Sequence, residues 1–375
     1  MTKKIIAAAL FLLFLSTGNY LAQRKPLWND EIYTQVRTLD RLSYQDILLN
    51  RMTEGNNCPL FYLIQKGICD AFHYKFPFVW DGEWYVGDLP SQTILRIGSN
   101  VFMALSLTAI FYFFARYYSG LAGFYSLLIS MSSFMVWAYC AEARPYALWF
   151  FLTTLQALLF LRATVPSRIW RWLAAVHFLL ALTITFSVVQ ILIVSGLLWF
   201  LREKDWKKYI FMTGIPVAIC FFYYWYSPHF KFFFLETPWQ LVSTNIPADR
   251  LSIAAGFGLL WLLSELRRNR NFVSESNAVE YLMLMISILA ASFFALLVFK
   301  MRQPRIIVDG FSLSSRYFIY LTPIGIIGTV LFSVHLLRAF RSQRWMFVNI
   351  ALGLAGLLMI RFLRTFIDVY NSGLY

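Results

Sequence analysis

The chain has 375 residues, of which 59% are hydrophobic, 19% aromatic and only 14% charged, and its mean hydropathy is +0.60. Soluble domains carry about a quarter charged residues, so this composition excludes a single water-soluble core, a disordered chain and a fibrous one. The net charge of +14 reads as loop Lys and Arg that orient a membrane protein and meet anionic lipid; no nucleic-acid motif accompanies it, and no nucleic-acid partner is expected.

Apolar runs of roughly 16–20 residues suit helices crossing a hydrocarbon core about 30 Å thick, and not alternating barrel strands. The expected fold is therefore an all-α polytopic membrane protein with about 11 spans (range about 10–13), read as one domain over residues 1–375. Lys3 and Lys4 precede an apolar run from Ile5 to Ala22 with no clear A-x-A site after it. It reads as an uncleaved first span entering from the cytoplasm. Residues 23–96 form a long outer loop, and nine of the 19 acids fall between residues 23 and 100. Trp28-Asn29-Asp30-Glu31 opens a helical pattern with Ile32, Val36 and Leu39 on one face. Ser43 and Asp46 form a capping box before Ile47, and Pro59 suits the first turn of a helix from Leu60 to about Phe72. These are expected to be short amphipathic helices lying on the membrane surface.

Further spans are expected near 97–115, 119–138, 145–161, 171–186, 187–201, 208–226, 251–266, 281–299, 316–336 and 344–362. The pair within 171–201 is short for two crossings. The turns assigned to the cytoplasm are short and basic: Arg116, then Arg162 with Arg168 and Arg171, then Arg202 to Lys208, then Arg267 to Arg270, then Arg338 to Arg344. This alternation follows the positive-inside rule.

Ionisable residues at the outer ends of the spans are the chemical candidates. Asp30 and Glu31 follow the first span. A carboxylate there is able to take a proton from a hydroxyl or hold a divalent cation, although acids also simply suit a helix N-terminus. Glu142 and Arg144 precede Pro145 and Tyr146 at the outer end of the third span, at the depth and face expected for Asp30. They read either as an interfacial ion pair or as half of a site in which Asp30 and Glu142 bind a metal. Arg316 and Tyr317 begin a later span; Arg316 offers a fork of donors suited to phosphate, or else snorkels to lipid headgroups. The four histidines lack metal-ligand spacing. The four cysteines lack CxxC spacing, a Cys58–Cys69 bridge is out of reach along one helix, and a Cys58–Cys140 bridge stays open.

Taken in order, several segments resemble the polytopic GT-C glycosyltransferases, specifically bacterial relatives of protein O-mannosyltransferases and aminoarabinose transferases. Leu27-Trp28-Asn29-Asp30-Glu31 is similar to that family's aromatic-x-Asp-Glu signature. Asn57-Cys58-Pro59-Leu60-Phe61-Tyr62 resembles a His-Pro-Pro-Leu-Tyr-Tyr pattern, with Asn57 in place of His. Arg96-Ile97-Gly98-Ser99 resembles an Arg-Leu-Pro-Ser opening, Glu142-Ala143-Arg144-Pro145-Tyr146 a recurrent outer-loop motif, and Arg316-Tyr317 with Pro323 a later Arg-Tyr element. The resemblance covers most of residues 1–325. It implies an enzyme of the bacterial inner (plasma) membrane that transfers a sugar, on the extracytoplasmic face, from a polyprenyl-phosphate donor to a glycan, lipid or protein acceptor. Asp30 would be the general base. Glu31 and Glu142 would act beside it, with a divalent metal ion held by Asp30 and Glu142, while Arg144, Tyr146, Arg316 and Tyr317 would bind the donor. The rival readings are a transporter or flippase of lipid-linked solutes, which needs charge near the bilayer middle, and a glycan polymerase or ligase.

Overall fold

The computed structural model describes residues 2–74, 79–80, 85–86, 89–162, 169–201, 206–226, 278–302, 318–339 and 344–372. The expected span 251–266 and the residues Arg316 and Tyr317 lie outside them. The described residues are almost wholly helical: α1 (Thr2–Arg24), α2 (Asn29–Thr34), α3 (Tyr44–Leu48), α4 (Pro59–Ala71), α5 (Leu89–Tyr117), α6 (Gly120–Met131), α7 (Phe134–Cys140), α8 (Tyr146–Arg162), α9 (Ile169–Ala181), α10 (Ser187–Leu201), α11 (Trp206–Tyr209), α12 (Ile215–Tyr226), α13 (Ala278–Arg302), α14 (Leu321–Ala339) and α15 (Arg344–Ser372). A two-residue antiparallel ladder pairs β1 (Val79–Trp80) with β2 (Tyr85–Val86). Single π-helical turns, Gln35–Leu39 and Ile210–Gly214, follow α2 and α11.

Three stretches of the described residues are long and apolar enough to span by themselves: Thr2–Arg24, Gln92–Tyr117 and Lys207–Tyr226. The expected span 119–138 is instead broken into α6 and α7, bent by 67° at Ser132–Ser133. Breaking a helix in lipid frees carbonyls that must find donors. Here Trp137 Nε1 donates to Met131 O at 2.7 Å and the Ser132 hydroxyl to Ile129 O at 2.8 Å. The local serines 126, 130, 132 and 133 explain why the bend falls there. It turns α7 aside, so that the loop after it carries Glu142 and Arg144.

Contacts at the helix ends fix the sidedness. Lys3 Nζ donates to Ala115 O at 2.6 Å near the C-terminus of α5, and the Arg162 guanidinium lies 4.4 Å from the centre of the Tyr117 ring. The beginning of α1 and the ends of α5 and α8 therefore share one basic face. At the opposite face Arg24 sits over the rings of Tyr20 and Tyr370, at 4.9 and 5.2 Å, and donates to the Tyr370 hydroxyl at 2.6 Å. The ends of α1 and α15 thus meet on that face.

The short pair α9 and α10, 13 and 15 residues long, would reach only about 20 and 22 Å at 1.5 Å per residue. Its turn does not run free. Thr183 O and Leu182 O accept the N–H groups of Cys58 and Leu60 at 3.0 and 2.9 Å, and Thr185 N–H donates to Asn56 O at 3.0 Å. The long loop thus closes over the hairpin and completes its hydrogen bonding. Within the bundle, Gln190 accepts from Trp149 Nε1 at 2.7 Å and donates to Thr153 at 2.9 Å, so a buried amide joins α8 to α10 without an unmatched end. All four cysteines are free and buried; Cys58 and Cys140 do not form the bridge left open above.

Small residues let α5 and α6 approach closely. A Cβ at Gly123 would lie 2.7 Å from Ala115 Cβ and 3.2 Å from Ala115 Cα, whereas one at Gly120 would meet nothing within 4 Å. Gly123→Ala is expected to destabilise the protein by about 1–3 kcal/mol through overpacking, and Gly120→Ala by less than about 0.5 kcal/mol. Thermal unfolding of the two variants in detergent measures the difference; equal midpoints would contradict the packing described here.

Candidate functional site

At the face opposite Lys3, α2 begins after a four-residue connection from the end of α1. Trp28 is its N-cap in extended conformation, which puts Asp30 and Glu31 in the first helical turn, where acids suit the helix dipole. Glu31 Oε2 accepts the Trp28 N–H at 3.2 Å, the carboxylate half of a capping box.

Glu31 then points inward to Arg96, which sequence reading assigned to a motif but gave no role. Helix α5 starts at Leu89, eight residues before the expected span at 97, so Arg96 lies within it and is fully buried. All five guanidinium N–H groups are used. Nε and Nη2 donate to the two Glu31 oxygens at 2.8 and 2.5 Å, Nη1 donates to Ala22 O at 2.8 Å and Lys25 O at 2.5 Å, and Nη2 also donates to Pro26 O at 2.9 Å. Arg96 therefore caps the carbonyls at the end of α1 while neutralising Glu31. The Glu31 carboxylate takes a fourth bond, from the Ala143 N–H to Oε1 at 2.6 Å. Its lone pairs are filled by Arg96, Trp28 and Ala143. Burial alone pushes its pKa up, but the Arg96 charge and hydrogen bonds, the Lys25 charge and the Ala143 N–H outweigh that and hold it below the ordinary carboxyl value.

The bond from Ala143 to Glu31 joins two segments 112 residues apart. The neighbours of these residues in sequence are Asp30 and Glu142, so the loop acids anticipated as a pair flank one hydrogen bond. Glu142 is buried, at 5% exposure, and its carbonyl accepts the Arg144 N–H at 2.9 Å in the tight turn before α8. The Asp30 side chain is about one-third exposed and stands 3.9 Å from Arg144 Nη2. Arg144 Nη1 donates to the Thr34 hydroxyl and to Glu54 Oε2, each at 2.6 Å, and its buried Nε has no hydrogen-bond partner. Arg144 thus differs from Arg96: one is saturated, the other keeps donors unused. Tyr146 opens α8, buried against the Tyr139 ring at 5.2 Å.

Two further residues complete the cluster. Glu54, which carries no motif, accepts from Thr38 at 2.9 Å and from the Tyr62 hydroxyl at 3.2 Å. Asn57, where the resembled pattern has His, donates to that same hydroxyl at 3.0 Å. Burial and the Glu54 charge push the Tyr62 phenol well above its ordinary value. It stays a neutral donor.

Among the described residues no three His, Cys, Asp or Glu side chains gather as a metal set. The Asp30–Glu142 pair is therefore short of ligands by itself; with Glu31 occupied by Arg96, only donor phosphate oxygens and water would complete a hexacoordinate ion there. Arg144 already supplies positive charge at Asp30.

The described residues thus form an all-helical membrane bundle in which an acid and an arginine meet at one end of the helices. No family model matches the chain, and no curated protein matches it in sequence. Its fold is similar to that of ArnT from Cupriavidus metallidurans, a GT-C glycosyltransferase. The crystal structure in the apo state aligns with TM-score 0.60 at 12% identity over 98% of this chain and 74% of that one. The structure of the same protein bound to undecaprenyl phosphate aligns with TM-score 0.56 at 14% identity over 99% and 75%.

Proposed function

We propose that the protein is an integral membrane glycosyltransferase that moves one sugar from a polyprenyl phosphate to an acceptor hydroxyl outside the cytoplasm. The observation that carries the proposal is the meeting of a partly exposed Asp30 with an unsaturated Arg144, 3.9 Å apart, at the end of the bundle opposite the basic face. Lys3, Arg116 and Arg162 on that basic face support a cytoplasmic orientation for it under the positive-inside rule. The ArnT structure bound to undecaprenyl phosphate supports a donor of that chemical class.

In this reading Asp30 takes the proton of the acceptor hydroxyl as its oxygen attacks the anomeric carbon. The bond from that carbon to the donor phosphate breaks, and the phosphate leaves as a monoester with one more negative charge. Displacement from the far side inverts the anomeric centre. Arg144 faces the developing charge, and a fixed cation stabilises that state more than the bound donor. Glu142 positions the acceptor. Glu31 and Arg96 hold the loops that carry the reacting groups, and Arg316 and Tyr317 are assigned to the donor phosphate by the resemblance alone.

Among the described residues the buried acids and arginines gather at one end of the bundle, whereas a transporter needs them near the bilayer middle. The test is to incubate the purified protein in liposomes with lipid-linked sugars from its host membrane. Release of polyprenyl phosphate with one sugar added to the acceptor is expected. A polymeric product would favour the polymerase reading, and movement of the intact donor between leaflets without release would favour the flippase.

A further inference from the structure

We infer that Glu54 is a positioning residue for Arg144, and that its own place is dictated by the α9–α10 turn. The inference rests on the transferase reading and adds a residue that no motif singles out.

Glu54 and Arg144 are both buried, with side chains 2% and 9% exposed, and are joined at 2.6 Å. The carboxylate is held from three sides. Oε1 accepts from the Thr38 hydroxyl; Oε2 accepts from the Tyr62 hydroxyl and from Arg144 Nη1. Tyr62 is constrained to donate to Glu54, because its oxygen already accepts from Asn57 Nδ2. Arg144 has no comparable set of its own. Its short bonds both run from Nη1, to Glu54 and Thr34, while Nε is unpartnered and Nη2 stands off from Asp30 at 3.9 Å. The anchored nitrogen therefore determines where the rest of the planar guanidinium lies.

The anchor is built into the fold. The loop between Glu54 and Leu60 receives its backbone bonds from Leu182, Thr183 and Thr185, so the hairpin tip fixes the segment that carries Glu54 and Asn57. Glu54 also supplies the nearer negative charge to Arg144, at 2.6 Å against 3.9 Å for Asp30. A short Arg144–Asp30 pair would occupy the carboxylate oxygens required for the acceptor proton.

Glu54→Gln keeps the shape and an acceptor for Thr38 but removes the charge. In liposomes supplied with host lipid-linked sugar, kcat per folded molecule is expected to fall about a hundredfold, the scale of misplacing a reacting group, with the donor KM unchanged. In an Arg144→Gln background the same change is expected to cost less than about threefold, because the two residues act as a unit. Tyr62→Phe, which removes one bond and keeps the ring, guards against failed folding and is expected to lower kcat about tenfold or less. A purely structural Glu54 would lower the yield of folded protein and leave kcat per folded molecule at the parental value, or would combine additively with Arg144→Gln. Either result overturns the inference. Asp30→Asn in the same assay keeps the two claims apart. Its inactivity beside a fully active Glu54→Gln would leave the transferase reading standing and remove this one, whereas an active Asp30→Asn would remove the transferase mechanism itself.

Discussion

Arg96→Met is expected to destabilise the folded protein by about 3–5 kcal/mol, the scale seen when one partner of a buried ion pair is removed. Met fills the volume but donates nothing. The carbonyls of Ala22, Lys25 and Pro26 lose their donors, and Glu31 loses the guanidinium that bonds both its oxygens. The pH dependence should change sign as well. In the parent, Glu31 titrates below the ordinary carboxyl value of 4.5, so its contribution is complete above that pH and is lost as the pH falls through the lower native value. In the variant, burial without Arg96 pushes the native pKa above the ordinary value, and stability should rise as the pH is lowered from neutral towards 4.5. Unfolding midpoints in detergent between about pH 4 and 8 read both effects. Adding Glu31→Leu should recover only part of the loss, because Trp28 and Ala143 would then lack their acceptor. A parental midpoint for Arg96→Met, with a parental pH slope, would show that the pair does not hold α1, α2 and the loop before α8 together.

Much of this arrangement is legible in the chain because it depends on short-range chemistry. The Ser43–Asp46 box caps α3, with Asp46 N–H donating to the Ser43 hydroxyl at 3.1 Å, and Pro59 stands at the first position of α4. Ile32 and Leu39 are buried as their spacing implies. The bend between α6 and α7 is harder to read, since Phe134–Cys140 is as apolar as the helix before it and only the serines betray the break. Arg96 carries a recognisable signal, a charge just inside a long apolar run, where an ionisable group is costly without a partner. Its partner Glu31 is 65 residues away, and nothing local announces the pairing. Glu54 has no periodicity or capping role to mark it. Its importance exists only once Thr38, Tyr62 and Arg144 are folded around it.

Asp30→Asn should leave that scaffold intact and lower transfer by about 10²–10⁴-fold, the range that a positioned proton acceptor contributes. The structural cost is small by several routes. The Asp30 carboxylate stands 3.9 Å from Arg144 Nη2, Arg144 keeps Glu54 at 2.6 Å, and removing a first-turn acid costs about 0.3–1 kcal/mol. The amide preserves size while losing the ability to take a proton, so the loss should appear in kcat and scarcely in the donor KM. Asp30→Glu keeps a carboxylate but extends it by one methylene from a backbone held through Glu31, Arg96 and Ala143. It should regain part of the rate, because that clamp lets the longer side chain adjust only by its own rotation. Turnover of lipid-linked sugar in liposomes compares all three proteins. Equal rates for Asp30→Asn and the parent would mean that the acceptor proton leaves by another route; equal loss in Asn and Glu variants, with normal folding, would mean that the distance from Asp30 to Arg144 is as important as its charge.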